Sequence, residues 1–210
     1  TPARAGAGVV LATALQPPGG PDPLAALEAQ GAQGGGDAPL RVLALDGLAD
    51  ADNVGALVRV AAAFGVDAVA CSLDCCDPLS PRAVRASGGH CFRVPVARVD
   101  LPALLRRLRG AGVLAAAAVV QDGARFLDEV AAVPRRWAVV VGSEHLGVSE
   151  AVREACQLLL TVRMAPAVDS LNVAVSAGVL LHGLAEREAA AGAGALAGGP
   201  DAPSSSDSRG

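Results

Sequence analysis

"LRVLALDGLADADNVGALVRVAAAFGVDAVAC", residues 40–71, holds two short apolar runs on either side of a helical pattern. The first run, 40–46, lacks strict apolar–polar alternation, so it reads as a strand buried on both faces, as strands of a parallel sheet are. "VDAVAC" (66–71) reads the same way. Between them a Gly- and Asp-rich loop leads into a helix expected over Asn53 to Phe64.

The alternation continues along the chain. "VLAAAAVV" (113–120) and "WAVVVG" (137–142) read as further buried strands, and helices are expected over 80–87, 101–109, 149–155 and 171–188. Strands alternating with helices define an α/β fold with a mostly parallel sheet flanked by helices on both faces. No internal repeat is visible. Residues 1–39 read as a connector or linker, because 16–39 are rich in Pro and Gly. Residues 40–189 read as the folded domain, and 190–210 as a disordered tail.

Composition narrows the function. The 210 residues are 52% hydrophobic, enough for a sizeable core, but only 2% are aromatic, so the core is aliphatic and base-stacking modes of nucleic-acid binding have little material. All 17 basic residues are Arg, and the formal net charge is −4. A nucleic-acid partner would be met by a local patch, of which Arg82, Arg85, Arg93, Arg98, Arg106, Arg107 and Arg109 supply the sequence. Five cysteines, two of them adjacent, form neither a disulfide framework nor a paired Cys-x-x-Cys zinc pattern. A reduced, intracellular setting is expected: cytoplasmic in a bacterium, mitochondrial or plastid in a eukaryote. No uninterrupted apolar run has the length of a membrane span.

In open parallel sheets, ligands bind beyond the carboxyl ends of the strands. Three loops there carry polar residues. In 45–69, Asn53 sits where a helix N-cap is expected and Arg59 lies further along that helix; a cap, a packing role for Gly55 and a solvated Arg59 account for the loop equally well. In "VVVGSEHLGVSEAV" (139–152), Ser149 is an ordinary helix start, whereas Glu144 between two glycines is not explained by a turn. In "VDSLNVAVSAGVLLHGL" (168–184), Ser170 accounts for a cap and leaves Asn172 idle.

In this order and spacing the loops resemble the three motifs of the SpoU (TrmH-like) family of RNA ribose 2′-O-methyltransferases, in the SPOUT superfamily. Asp46, Asp50, Asn53, Gly55 and Arg59 match the first motif. Gly142, Glu144, Gly147 and Ser149 match the second, and Met164, Ser170, Leu171, Asn172, Val173 and Val175 the third. The likeness covers roughly residues 40–188. Upstream, "GVVLATALQ" (8–16) is similar to the connector that follows a small substrate-binding domain in some members, and implies such a domain ahead of Thr1.

The resemblance implies a C-terminal trefoil knot, which strand patterns alone do not predict. It implies S-adenosyl-L-methionine as cofactor, held by Gly142, Val162 and Leu171 with Ser143, Met164 and Asn172 nearby. It implies methyl transfer to a ribose 2′-hydroxyl of rRNA or tRNA, with Arg59, Asn53, Glu144, Asn172 and Ser170 at the catalytic centre and no metal. Asn53 and Glu144 are expected to hydrogen-bond each other. Arg59 is expected either to remove the hydroxyl proton or to clamp an RNA phosphate; Arg82 and Arg85 are candidate RNA-phosphate contacts, with solvated surface arginines the alternative, and a homodimer is expected through the knot region.

Some positions depart from the family pattern. Ser143 stands where Asn is common, His145 and Leu146 replace Gly and Glu, and Arg163 replaces a proline before Met164. Two rival readings remain. A dinucleotide-dependent dehydrogenase lacks a complete glycine fingerprint, since "GAGVV" (6–10) and "GAGVL" (110–114) are fragments of one. A non-catalytic RNA-binding or dimerisation module of the same knotted fold shares the motifs' framework.

Overall fold

The computed structural model of the chain describes residues 38–121 and 123–197. Seven strands form one parallel sheet: β1 (Leu40–Asp46), β2 (Ala68–Ser72), β3 (Val96–Val99), β4 (Leu114–Ala118), β5 (Arg125–Phe126), β6 (Arg136–Gly142) and β7 (Leu158–Thr161). Their order across the sheet is β3-β2-β1-β6-β4-β7-β5. β1 and β6 lie side by side at its centre, with Leu40 opposite Arg136 and Asp46 opposite Gly142.

Five α-helices connect and cover the strands: α1 (Ala51–Ala63), α2 (Pro81–Ala86), α3 (Leu101–Gly110), α4 (Glu150–Ala155) and α5 (Val173–Ala197). One face of the sheet, carrying Leu43, Leu45, Val139 and Val141, packs on Val54, Leu57 and Val58 of α1 and on Ala177, Leu180, Leu181 and Leu184 of α5. The other face, with Val42, Ala44, Ala138 and Val140, packs on Leu101, Leu104, Leu105 and Leu108 of α3 and on Val152 and Ala155 of α4. Burial on both sides is why β1 and β6 show no alternation in sequence.

The four expected strands and five expected helices are present with shifted ends. β3, β5 and β7 were not foreseen. β3 is a four-residue edge strand whose apolar pattern is interrupted by Arg98, β5 has two residues, and β7 lies in the apolar run that leads to the third motif loop. Two caps also differ. The carboxylate of Asp50, not Asn53, caps α1 by accepting from the Asp52 amide, which places Asn53 in the first turn. Asn172, not Ser170, caps α5: its Oδ1 accepts from the amides of Ala174 (3.0 Å) and Val175 (3.4 Å). The last helix also runs on to Ala197, so residues 190–197 are helical rather than tail, as their alanine-rich sequence favours. The expected linker at 1–37 and the tail at 198–210 lie outside the described residues.

At the amino end of the central strands a polar network fastens α5 to the sheet. Arg41 Nε and Nη2 donate to the two carboxylate oxygens of Glu188 at 2.9 and 3.1 Å, and Trp137 Nε1 donates to the same carboxylate at 2.9 Å. Glu188 is 6% exposed, so its carboxylate takes from these donors the hydrogen bonds that water cannot reach it to give.

Candidate active site

The carboxyl ends of β1 and β6 give rise to the first two motif loops. They are joined by Asp46, a buried residue whose Oδ2 accepts from the Ser149 amide at 2.7 Å. This bond satisfies one of the orphan amides at the start of α4, where the Ser149 side chain makes no capping bond. Beneath the first loop, the Leu48 amide donates to Cys75 Sγ, and Cys75 Sγ donates to the Leu45 carbonyl, both at 3.3 Å. Hydrogen bonding from Cys71, and then from Ser72 and the Leu48 amide, brings the Cys75 thiol down to about 6 against the opposing effect of burial. All five cysteines are free.

Two motif glycines are explained by close approach. A Cβ at Gly55 would lie 2.3 Å from the Ala83 carbonyl oxygen and 2.6 Å from Ala86 Cβ, so this glycine lets α1 and α2 touch. A Cβ at Gly142 would lie 2.1 Å from the backbone of Gly147 and 2.3 Å from the Val148 nitrogen. The second loop therefore folds back against the end of its own strand, and any side chain at Gly142 would push it away.

Asn172 brings the three motifs together. Its Nδ2 donates to Asn53 Oδ1 at 3.4 Å and to Glu144 Oε1 at 3.3 Å, while its Oδ1 caps α5. The expected direct bond between Asn53 and Glu144 is replaced by this bridge. A carboxylate accepts only, and the Asn172 amide offers two N–H groups, one for each partner.

Beside the bridge a cavity of about 540 Å³ opens beyond the ends of β4, β6 and β7. Gly142, Ser143, Glu144, Val162, Met164, Ser170 and Leu171 line it. Asn172 does not line it but lies between two residues that do, Leu171 and Val173. Asn53 and Arg59 are also outside the lining; Arg59 is exposed on α1. Sequence reading missed the wall formed by residues 118–121, together with Thr161 and Arg153. Its signal was the polar Gln121 just past an apolar strand, but only the strand order shows that β4 lies next to β6.

Arg82 and Arg85 on α2 are both exposed. Arg82 grips Asp52 through Nε at 2.8 Å and Nη2 at 2.6 Å, with Asp50 3.7 Å away. Its hydrogen bonds hold the Asp52 carboxyl below the usual range. Arg163, just before Met164, donates to Asp128 and Glu129 and covers the Phe126 ring at 3.9 Å, so its side chain is directed at the strand-β5 segment.

The cavity suits a small molecule with both apolar and charged parts. Its volume lies within the roughly 300–1,000 Å³ of small-molecule sites. Val141, Leu160, Val162 and Leu180 offer apolar surface; Ser143, Thr161 and Ser170 offer hydroxyls; Glu144, Asp169 and Arg153 offer charge. Among the described residues no group of three or more His, Cys, Asp or Glu converges as a metal site, and no helix is long and apolar enough to cross a membrane.

Known proteins resemble this chain in sequence and in fold. Residues 40–182 match the SpoU rRNA Methylase family, and the chain belongs to that family. It is 34% identical over 146 residues to the 23S rRNA (guanosine(2553)-2′-O)-methyltransferase RlmP of Bacillus subtilis, covering 69% of this chain and 57% of that protein. It is 40% identical over 144 residues to the 23S rRNA (guanosine-2′-O-)-methyltransferase RlmB of Nitrosomonas europaea, covering 68% and 55%. The chain thus spans little more than half the length of these curated relatives. Among solved structures, the AdoMet-bound rRNA methyltransferase of Sinorhizobium meliloti superposes with a TM-score of 0.65 at 27% identity, over 70% of this chain and 56% of that one. An RNA 2′-O ribose methyltransferase superposes with a TM-score of 0.63 at 31% identity, over 73% and 57%.

Proposed function

We propose that this chain methylates a ribose 2′-hydroxyl of rRNA or tRNA, using S-adenosyl-L-methionine bound in the cavity beyond β4, β6 and β7. The observation that carries the reading is the Asn172 bridge, which ties the first two motif loops to the third at the border of a cavity of suitable size and chemistry.

The cofactor supplies an electrophilic methyl group on a sulfonium. Transfer to the ribose oxygen would form a C–O bond as the S–C bond breaks, leaving S-adenosylhomocysteine and passing the hydroxyl proton to solvent water. Holding nucleophile and methyl in line removes much of the entropic barrier, and the loop residues Ser143, Glu144, Met164, Ser170 and Leu171 form the walls that do so. Asn53, Glu144 and Asn172 fix one another and with them the acceptor side of the site. Arg59 faces solvent on α1, where an incoming RNA can reach it. A guanidinium stays protonated, so its role is to orient a phosphate bidentately or to stabilise the departing proton's oxygen. Arg85 offers a further phosphate contact; Arg82 must first release Asp52.

The reading includes a trefoil knot built from the second and third motif loops, supported by the backbone contact at Gly142 and the shared cavity. It includes a homodimer, supported by the exposed Leu171, Val175 and Val179, the last two one turn apart on α5. It also includes a connector at 1–39 following a substrate-binding domain, and an intracellular setting, cytoplasmic, mitochondrial or plastid, which free thiols suit.

The test is transfer of labelled methyl from S-adenosyl-L-methionine to total rRNA and tRNA, with the product mapped as a 2′-O-methyl nucleotide. Light scattering alongside should give twice the chain mass. RNA binding without any affinity for S-adenosyl-L-methionine would replace the enzyme with a non-catalytic RNA-binding module.

A further inference from the structure

The cavity contains one feature that none of the three motifs explains. Among the described residues Arg153, on α4, is the one lining residue with a permanent positive charge, whereas Glu144 and Asp169 supply the negative charges. Its Nη1 donates to Gln121 Oε1 at 2.9 Å, and Gln121, on the loop after β4, lines the same cavity. Gln121 is a neutral amide. It orients the guanidinium without cancelling its charge and leaves other N–H donors of the planar fork for a ligand. A guanidinium held in this way matches a carboxylate, which it can engage through two parallel hydrogen bonds.

We propose that Arg153 receives the α-carboxylate of the amino-acid tail of the bound cofactor, with Gln121 as its positioning residue. The proposal rests on the reading of the cavity as an S-adenosyl-L-methionine site. The tail is zwitterionic: its carboxylate calls for a cation, and its ammonium is served by the acidic residues of the same lining. The apolar patch of Val141, Leu160 and Val162 has no such preference and is left to the heterocycle.

The experiment is calorimetric titration of the full chain and of Arg153→Met with two ligands. S-Adenosylhomocysteine carries the amino-acid tail; 5′-methylthioadenosine lacks it. Arg153→Met should weaken S-adenosylhomocysteine about tenfold or more, the scale of a charge-assisted hydrogen-bonded pair, and leave 5′-methylthioadenosine within about twofold. Retained 5′-methylthioadenosine binding also shows that the variant is folded. Arg153→Lys should recover part of the loss. Equal weakening of both ligands, or of neither, overturns the proposal while the cavity reading stands. A wild-type chain that binds neither ligand overturns the cavity reading and the proposal together.

Discussion

The two ends of the central strands carry polar networks of the same size and opposite character. At the amino end, Arg41, Glu188 and Trp137 meet through bonds of 2.9–3.1 Å around a buried carboxylate. At the carboxyl end, Asn53, Glu144 and Asn172 meet through bonds of 3.3 and 3.4 Å among side chains open to solvent. α5 supplies Glu188 to the first, and its capping residue Asn172 belongs to the second. Short, buried bonds to a charge hold a fold together, because removing one partner strands the others without water. Longer, exposed bonds can be exchanged for bonds to a substrate at little cost. The difference teaches where this molecule is built to stay closed and where it is built to be entered.

Three substitutions separate the ends. Arg59→Ala should lower methyl transfer by more than about a thousandfold, or about 4 kcal/mol of transition-state stabilisation, while S-adenosylhomocysteine affinity and melting temperature stay unchanged. Turnover near wild type would remove Arg59 from catalysis. Glu188→Ala should cost about 3 kcal/mol of stability in chemical denaturation, since Trp137 Nε1 and Arg41 lose their acceptor, with activity per folded molecule preserved. A loss of activity without loss of stability would break the comparison. Asn172→Ala should cost about 1 kcal/mol of stability through the lost cap and lower the rate about tenfold through the lost bridge. A stability loss alone would make Asn172 a cap and nothing more.

Much of this was legible in the sequence. The central strands announced themselves because burial on both faces leaves a continuous apolar run, as in "WAVVVG". The cavity-lining residues of the second and third loops were legible through the family resemblance, not through periodicity. What sequence did not disclose was the division of labour between the asparagines. Either residue type caps a helix, and the choice fell on Asp50 at α1 and on Asn172 at α5 because of where each backbone leaves its loop. The wall at 118–121 stayed hidden for a different reason. It belongs to the site through the strand order, a long-range property that local patterns do not encode.

The two networks also set a measure. From Asn172 to Glu188 the chain advances about 24 Å at 1.5 Å per residue, alongside β6 and the turn that follows it. α5 therefore works as a gauge laid against β6, pinned at its start by Asn172 and again at Glu188. One residue inserted between the pins would turn the remainder of the helix by about 100° and advance it about 1.5 Å, so that only one network could be kept. This stretch of the chain can vary in its letters far more freely than in its length.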